Sequence, residues 1–308
     1  MKDDRLLEMR VFRAVVEAGG FTAASHVLDV SQSFVSQTIN NLERRLGVSL
    51  LQRSTRVQRL TDEGARFLEL SRSMIDGLDE GERAISSPQA QFTGVLRVSA
   101  PLAFGLDQIV PRIPSFMARH PNLEVRLALS DLVANLIEEN LDVAIRMGRL
   151  QDSALVGYKL CGLARVVVAS PGYVAIHGEP RSPDELAQHN CLLWQGPQDH
   201  LNRWPFLVDG KPRELEVQGS FRCDNGLTLF QLCTAGLGIM RCAEHLAVPA
   251  IRSGALIELL TDHRWADDMA IHAVALRSRR NVPRIRAFID YLTEQFSRPS
   301  WHEPVAAA

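Results

Sequence analysis

The residues whose types and spacing point most directly to a chemistry are Ser33, Gln37, Asn40 and Arg44, with Gln32, Ser36 and Asn41 flanking them. At three-or-four spacing they share one face of a helix, where amide side chains can pair bidentately with adenine edges and hydroxyls can reach bases or phosphates. An ordinary solvated helix face carries the same pattern, and periodicity alone does not separate the two. The surrounding charge weighs toward nucleic acid. Arg44, Arg45, Arg53, Arg56 and Arg59 lie between positions 44 and 60, a window without Asp or Glu, and such a cluster can supply phosphate contacts locally.

Several short elements must hold that stripe in place. Leu6, Met9, Phe12 and Val16 recur at helical spacing until Gly19-Gly20 stops them. Thr22 can cap a second helix carrying Ala23, Ala24, Val27 and Leu28; Asp29-Val30 makes a very short turn, and Ser31 can cap a third helix. In the third helix Val35, Ile39, Leu42 and Leu46 form the apolar face, and Gly47 stands where a left-handed cap is favoured. Two helices across so short a turn, the second with a polar stripe, suggest a helix-turn-helix.

Residues 48–60 switch to shorter apolar runs flanking Ser54-Thr55-Arg56, which predicts a small hairpin, or wing. Thr61, then Asp62 and Glu63, open a long helix expected over Asp62 to Ser86. Its stripe of Ala65, Leu68, Ile75, Leu78 and Ile85 is too narrow for a globular core, so a partner helix and a dimer are expected. Ser86-Ser87-Pro88 begins a linker.

After Thr93, strands and helices alternate. GVLRVSA, LEVRLALS, LDVAIRMG and ARVVVAS read as strands and about 105–119 and 131–140 as helices, implying an α/β domain with a mostly parallel sheet. Asp209-Gly210 marks a hairpin, 226–236 a helix, MAIHAVAL a late strand and VPRIRAFIDYLTEQF a closing helix. Ser99-Ala100-Pro101 and Ser130-Asp131 close strands where ligands gather in open α/β sheets, and free N–H groups there favour anions. Phe104, Trp194 and Phe206 read as core rather than as ligand-stacking rings.

Composition bounds the rest. The 308 residues suffice for two or three cored domains, and 46% apolar with 23% charged residues is a globular mixture. The N-terminus has acids at Asp3, Asp4 and Glu8 and no apolar run of signal-peptide length, and no stretch is long and apolar enough to span a bilayer. Five cysteines without a C-x-x-C pair indicate neither a disulfide framework nor a zinc site, so a reducing cytoplasm is expected. No H-E-x-x-H, G-x-S-x-G, P-loop or complete G-x-G-x-x-G occurs; no metal, cofactor or catalytic centre is expected. A net charge of −2 argues at face value against nucleic acid, but Asp76, Asp79, Glu80 and Glu82 offset the arginine cluster from elsewhere in the chain.

FRAVVEAGGFTAASHVLDVSQSFVSQTINNLERRLGVSLLQRSTRVQRLTDEG resembles the N-terminal winged helix-turn-helix of the LysR-type transcriptional regulators, through Ala23-Ala24, Leu28, Ser31-Gln32, Val35-Ser36, Ile39, Leu42-Glu43, Leu46-Gly47, Leu50, Arg53 and Leu60-Thr61. The likeness continues through GVLRVSAPLAFG, FMARHPNLEV, LDVAIRMGRLQDSALVGYKL, VVASPGYVAIHGEP and GLGIM. Gly20, Leu51 and Ser33-Phe34 depart from the usual residues, the last at the point where the helix would meet DNA.

The resemblance implies a DNA-binding domain over 1–61, a linker helix and hinge over 62–92, and a two-lobed effector domain similar to periplasmic binding proteins over 93–300, with lobe I at about 93–169 and 269–297 and lobe II at about 170–268. It implies double-stranded DNA as partner, touched by Ser31, Gln32, Ser33, Phe34, Ser36, Gln37, Asn40 and Arg44 on the third helix and by Arg53, Ser54, Thr55 and Arg56 on the wing. It further implies a small-molecule effector near Ser99, Ala100, Pro101, Leu102, Ser130, Arg146, Gly148, Ser170 and Asn225, a homodimer or homotetramer, and contact with RNA polymerase. Arg146 could pair with an effector carboxylate or be buried against a structural acid. A periplasmic-type receptor would need a signal peptide and an enzyme a nucleophile, metal cluster or cofactor loop; neither is found in the sequence.

Overall fold

The computed structural model describes residues 5–52, 59–86, 93–148, 155–197, 199–266 and 269–302. At the N-terminus α1 (Arg5–Glu17), α2 (Phe21–Leu28) and α3 (Gln32–Leu46) close on a core of Met9, Val11, Phe12, Val15, Ala24, Val35, Ile39 and Leu42. The predicted turn is confirmed: Asp29 takes a left-handed conformation (φ 53°) and ends α2 with its N–H on the His26 carbonyl. Thr22 is not a cap. It lies inside the first turn of α2, its carbonyl accepting from the Ser25 hydroxyl, because the helix already starts at Phe21 behind Gly20.

The flanks of the expected wing, β1 (Leu51–Gln52) and β2 (Arg59–Leu60), pair antiparallel with Leu51 opposite Leu60. Arg53, Ser54, Thr55 and Arg56 lie outside the described residues. The long helix α4 (Asp62–Ser86) starts at Thr61, whose hydroxyl accepts from the Gly64 N–H at 2.9 Å and donates to the Ser49 carbonyl at 2.7 Å.

The apolar stripe of α4 faces differently from expectation. Leu68 and Ile75, with Phe67, are buried against the α1 core, the Phe67 ring edge-on to Phe12 at 5.4 Å. The face left open to a partner is Leu70, Met74 and Leu78, one helical turn apart. A spacing pattern cannot show which of two apolar stripes is taken by the same chain.

The second domain carries a five-stranded sheet in lobe I, and a three-stranded sheet with two two-stranded pairs in lobe II. In lobe I, β3 (Gly94–Ala100) pairs parallel with β4 (Leu123–Leu129) and β5 (Val143–Met147), while β14 (Ala270–Leu276) runs antiparallel to β5 and β6 (Leu155–Gly162). In lobe II, β7 (Arg165–Ala169) sits between β12 (Met240–Ala243) and β13 (Ile257–Leu259), antiparallel to both; β8 (Leu192–Trp194) and β11 (Phe221–Cys223) pair in parallel; β9 (Arg203–Val208) and β10 (Lys211–Glu216) form the predicted hairpin, with both turn residues Asp209 and Gly210 at positive φ. The sheets are mixed rather than mostly parallel, since β14, re-entering lobe I, runs against β5 and β6, and β7, entering lobe II, runs against β12 and β13. The same pairing moves the lobe boundary. β7, placed in lobe I by a division at 169/170, bonds to lobe II, so the first crossing falls at Leu163–Ala164.

Helices cover the sheets. The 105–119 helix runs as α5 (Leu102–Phe104), a π turn over Gly105–Ile109, a 3-10 turn over Val110–Arg112 and α6 (Ile113–Arg119); Pro111 and Pro114, which lack N–H donors, account for the changes of pitch. Then come α7 (Pro171–His177), α8 (Gly226–Thr234), α9 (Glu244–Arg252) and α10 (Pro283–Gln295), the last burying Ile285, Phe288, Ile289 and Leu292. The helix expected at 131–140 is absent. The Asn135 side chain accepts from the Ile137 N–H at 3.0 Å, and Asn140 adopts φ 54°, so local side-chain bonds replace helical ones.

Candidate nucleic-acid interface and ligand cleft

α3 is fixed at both ends. The Ser31 hydroxyl accepts from the Phe34 N–H at 3.2 Å, and Gly47 (φ 73°) closes the other end with its N–H on the Glu43 carbonyl. Val35, Ile39 and Leu42 are buried as expected, whereas Leu46 is partly exposed. Buried anchors on one side leave Gln32, Ser33, Phe34, Gln37 and Arg44 exposed on the other, with Ser36 and Asn40 half-exposed. Arg44 hydrogen-bonds to Asn41 at 3.1 Å, and Ser31 and Ser33 share a hydroxyl contact at 2.9 Å.

Arg45 departs from the arginine cluster. It is paired with Glu8 of α1 and so clamps α3 to the bundle. Glu43, two residues earlier, accepts from the backbone N–H groups of Leu50 and Leu51 at 2.7 and 3.2 Å and thereby sets where the wing leaves the helix. Sequence pattern did not reveal these two jobs, because the partners are 7 to 37 positions away.

In the effector domain the expected ligand residues stand at the carboxyl ends of strands: Ser99 and Ala100 at β3, Ser130 after β4, Arg146 and Gly148 at β5, Ser170 after β7 and Asn225 after β11. Several already have structural work. Ser170 caps α7 by accepting from the Tyr173 N–H at 3.1 Å, and Asn225 caps α8 through the Thr228 N–H at 2.9 Å. Ser130 accepts from the Leu132 N–H at 3.2 Å. Ser99 and Ala100 are buried, with Pro101 and Leu102 half-buried beside them. Gly148, at φ 105°, donates to the Ala270 carbonyl at 2.9 Å.

Among the described residues Arg146 makes no ion pair with an acid: its Nη2 donates to the Ala134 carbonyl at 3.0 Å, while its Nε is buried without a hydrogen-bond partner. Phe104 and Phe206 are core, whereas Trp194 is only partly buried.

Two polar contacts join the lobes; of their side chains the sequence singled out only Asp131, beside Ser130, and not the bonds it makes. Asp131 accepts at Oδ1 from the Leu102 N–H of lobe I (2.9 Å) and at Oδ2 from the Gly226 N–H of lobe II (3.0 Å). Buried His245 of α9 meets Asp107 at 3.3 Å beneath the edge of Phe104. Burial acts to raise the Asp107 carboxyl, but the His245 and Gln108 hydrogen bonds outweigh it and hold the group below the ordinary carboxylate range.

Comparisons with known proteins agree with this architecture. A profile described as a bacterial regulatory helix-turn-helix protein of the lysR family matches residues 6–65, and one described as the LysR substrate binding domain matches 89–297. The chain is 34% identical over 288 residues to the transcriptional regulator CrgA of Neisseria meningitidis serogroup C, covering 94% of this chain and 96% of CrgA. It is 33% identical over 299 residues to a transcriptional repressor of Pseudomonas aeruginosa, covering 96% and 93%. The solved structure of Neisseria meningitidis CrgA superposes with a TM-score of 0.63 at 33% identity, covering 95% of this chain and 99% of that one. Among the described residues no helix is long and apolar enough to cross a membrane, and no His, Cys, Asp and Glu side chains cluster as metal ligands. With a winged helix-turn-helix, a linker helix and a two-lobed α/β domain all in register, the chain belongs to the LysR family of DNA-binding transcriptional regulators, which are not enzymes.

Proposed function

We propose that this regulator reads a specific operator as a dimer, inserting α3 of each subunit into the major groove, and that a small molecule between the two lobes changes how it does so. The observation that carries the reading is the exposed row Gln32, Ser33, Gln37 and Arg44, held above a fully buried Val35, Ile39 and Leu42. A rigid helix presenting amides, hydroxyls and a guanidinium is suited to base edges, while Arg53, Ser54, Thr55 and Arg56 of the wing are assigned to phosphate and sugar. Dimerisation is assigned to Leu70, Met74 and Leu78 of α4, whose exposure is otherwise unexplained.

The effector site is assigned to the strand ends that carry Ser99, Ala100, Pro101, Leu102, Ser130, Arg146, Gly148, Ser170 and Asn225, with an organic anion as the class of ligand. Binding to the DNA beside the protein's own gene, measured by fluorescence anisotropy over a salt series, tests the DNA reading. Gln37→Ala is expected to lose about 1–3 kcal/mol of discrimination at one base pair, and Arg53→Ala to lower the salt slope by about one while leaving sequence preference alone. Unchanged affinity and footprint in both variants would remove those residues from the interface. Met74→Glu is expected to shift the mass seen by light scattering toward the monomer.

A further inference from the structure

We propose that Asp131 is the resident anion of the interlobe cleft: its carboxylate occupies the place an external carboxylate would take, latches lobe I to lobe II, and makes effector choice depend on displacing it. The inference rests on the ligand-cleft reading above and specifies how that site is filled.

Its basis is a single side chain that uses both oxygens on backbone donors from different lobes, Leu102 N–H at 2.9 Å and Gly226 N–H at 3.0 Å. These two donors are 124 positions apart in the sequence. A carboxylate accepting two such bonds is chemically equivalent to a bound acetate.

The loop that carries Asp131 is itself held. Ser130 N–H donates to the Ala100 carbonyl at 3.0 Å, Arg146 reaches the Ala134 carbonyl at 3.0 Å, and Asn135 and Glu139 bond across the turn at 2.9 Å. Gly226 has room for a side chain beside this contact, since a Cβ built on it would lie 3.9 Å from Asp131 Oδ2, in ordinary contact. An external carboxylate at this position therefore competes with Asp131, and binding it frees the 131–140 loop from lobe II.

The test removes the resident and offers a substitute. Full-length wild type, Asp131→Ala and Asp131→Ala/Gly226→Pro are compared by saturation-transfer NMR with acetate and by thermal melting in 100 mM sodium acetate against 100 mM sodium chloride. Proline at the first position of α8 suits the helix and deletes only the lobe II donor. Asp131→Ala is expected to bind acetate and to gain about 2–4 °C over chloride, the rise for a dissociation constant near 10 mM. Wild type and the double variant are expected to show neither effect.

Acetate bound equally by wild type and Asp131→Ala, or by neither, overturns the proposal. Should Asp131→Ala fail to fold, Asp131→Asn keeps the volume while turning an amide N–H₂ toward one of the two donors. It is expected to melt several degrees below wild type, and a wild-type melting curve overturns the latch. Operator binding by the same proteins reports separately on the regulator reading: its loss in wild type would strike that reading and leave the acetate result standing.

Discussion

Asp76 of α4 and Arg279 of the effector domain form an ion pair at 2.6 Å with both side chains nearly withdrawn from water, 12% and 3% exposed. The same Asp76 oxygen receives Arg284 of α10 at 2.7 Å, while the other oxygen receives Arg13 of α1 at 3.1 Å. Arg279 continues to Asp142 at 2.6 Å, and Asp142 accepts from the Arg97 N–H of β3 at 2.9 Å. One carboxylate thus joins the DNA-binding bundle, the linker helix and lobe I.

Asp76→Asn leaves two largely buried guanidinium groups facing a neutral amide. A loss of about 3–5 kcal/mol of stability is expected from breaking a buried charge network at one partner. Denaturant melts of the variant, with limited proteolysis of the linker region, check it; a wild-type melt with wild-type protease resistance would show that the network does not join the domains.

The pH dependence follows from the same group. Burial alone would raise the Asp76 carboxyl, but Arg284, then Arg279 and Arg13, outweigh it and hold the group below the ordinary carboxylate range. A group depressed on folding contributes stability that is complete above its unfolded pKa and is lost as pH falls through the folded one. The stability difference between wild type and Asp76→Asn is therefore expected to stay constant from about pH 8 to pH 5 and to shrink only below about pH 4. A difference that collapses between pH 8 and 5 would point to another titrating group.

Gly64 sits where α4 leaves the wing, and a Cβ there would lie 2.0 Å from the Leu50 carbonyl oxygen. The clash is with backbone, which cannot rotate away. Gly64→Ala is expected to cost about 1–3 kcal/mol and to weaken DNA binding, because Leu50 and Leu51 begin the wing. Melting and anisotropy on the one variant check both effects.

Thiol chemistry separates the cysteines. Burial pushes Cys161, Cys191 and Cys233 up to about 12, and Cys242 higher still. At neutral pH almost none of these is thiolate, the form that reacts. Iodoacetamide on the folded protein is expected to leave these four unmodified and to label only partly exposed Cys223, and mild peroxide is expected to form no Cys233–Cys242 bond. Mass spectrometry of the native and unfolded protein reads both outcomes.

Legibility in the sequence followed distance along the chain. The bounds of α4, the Asp209-Gly210 hairpin, the Ser31 cap and the buried face of α3 depend on neighbours within a few residues, and their residue types state them directly. The 131–140 segment has helical composition yet forms turns, because Asn135 and Asn140 satisfy or redirect the backbone locally. Leu68 and Ile75 were apolar in either reading, and only the position of α1 shows that they are covered from within. Arg45 and Glu8, or Asp131 and Gly226, are pairs whose meaning exists only after folding.

The carboxylates of α4 and α1 have a consequence for the approach to DNA. Arg10 is paired with Asp79 at 3.2 Å, Arg13 with Asp76, and Arg72 with Glu17 at 3.2 Å, so cations on the back of the bundle are neutralised in place, whereas Arg44 on α3 rests against the uncharged Asn41. Among the described residues these pairs leave Arg44 without an acidic partner, which adds a dipole component with its positive end at α3. In the field of a polyanion that dipole experiences a torque within roughly a Debye length, about 8–10 Å at ordinary ionic strength. With α3 as the DNA-facing helix proposed above, encounters are expected to be oriented α3-first as well as accelerated, even though the chain as a whole carries a net charge of −2.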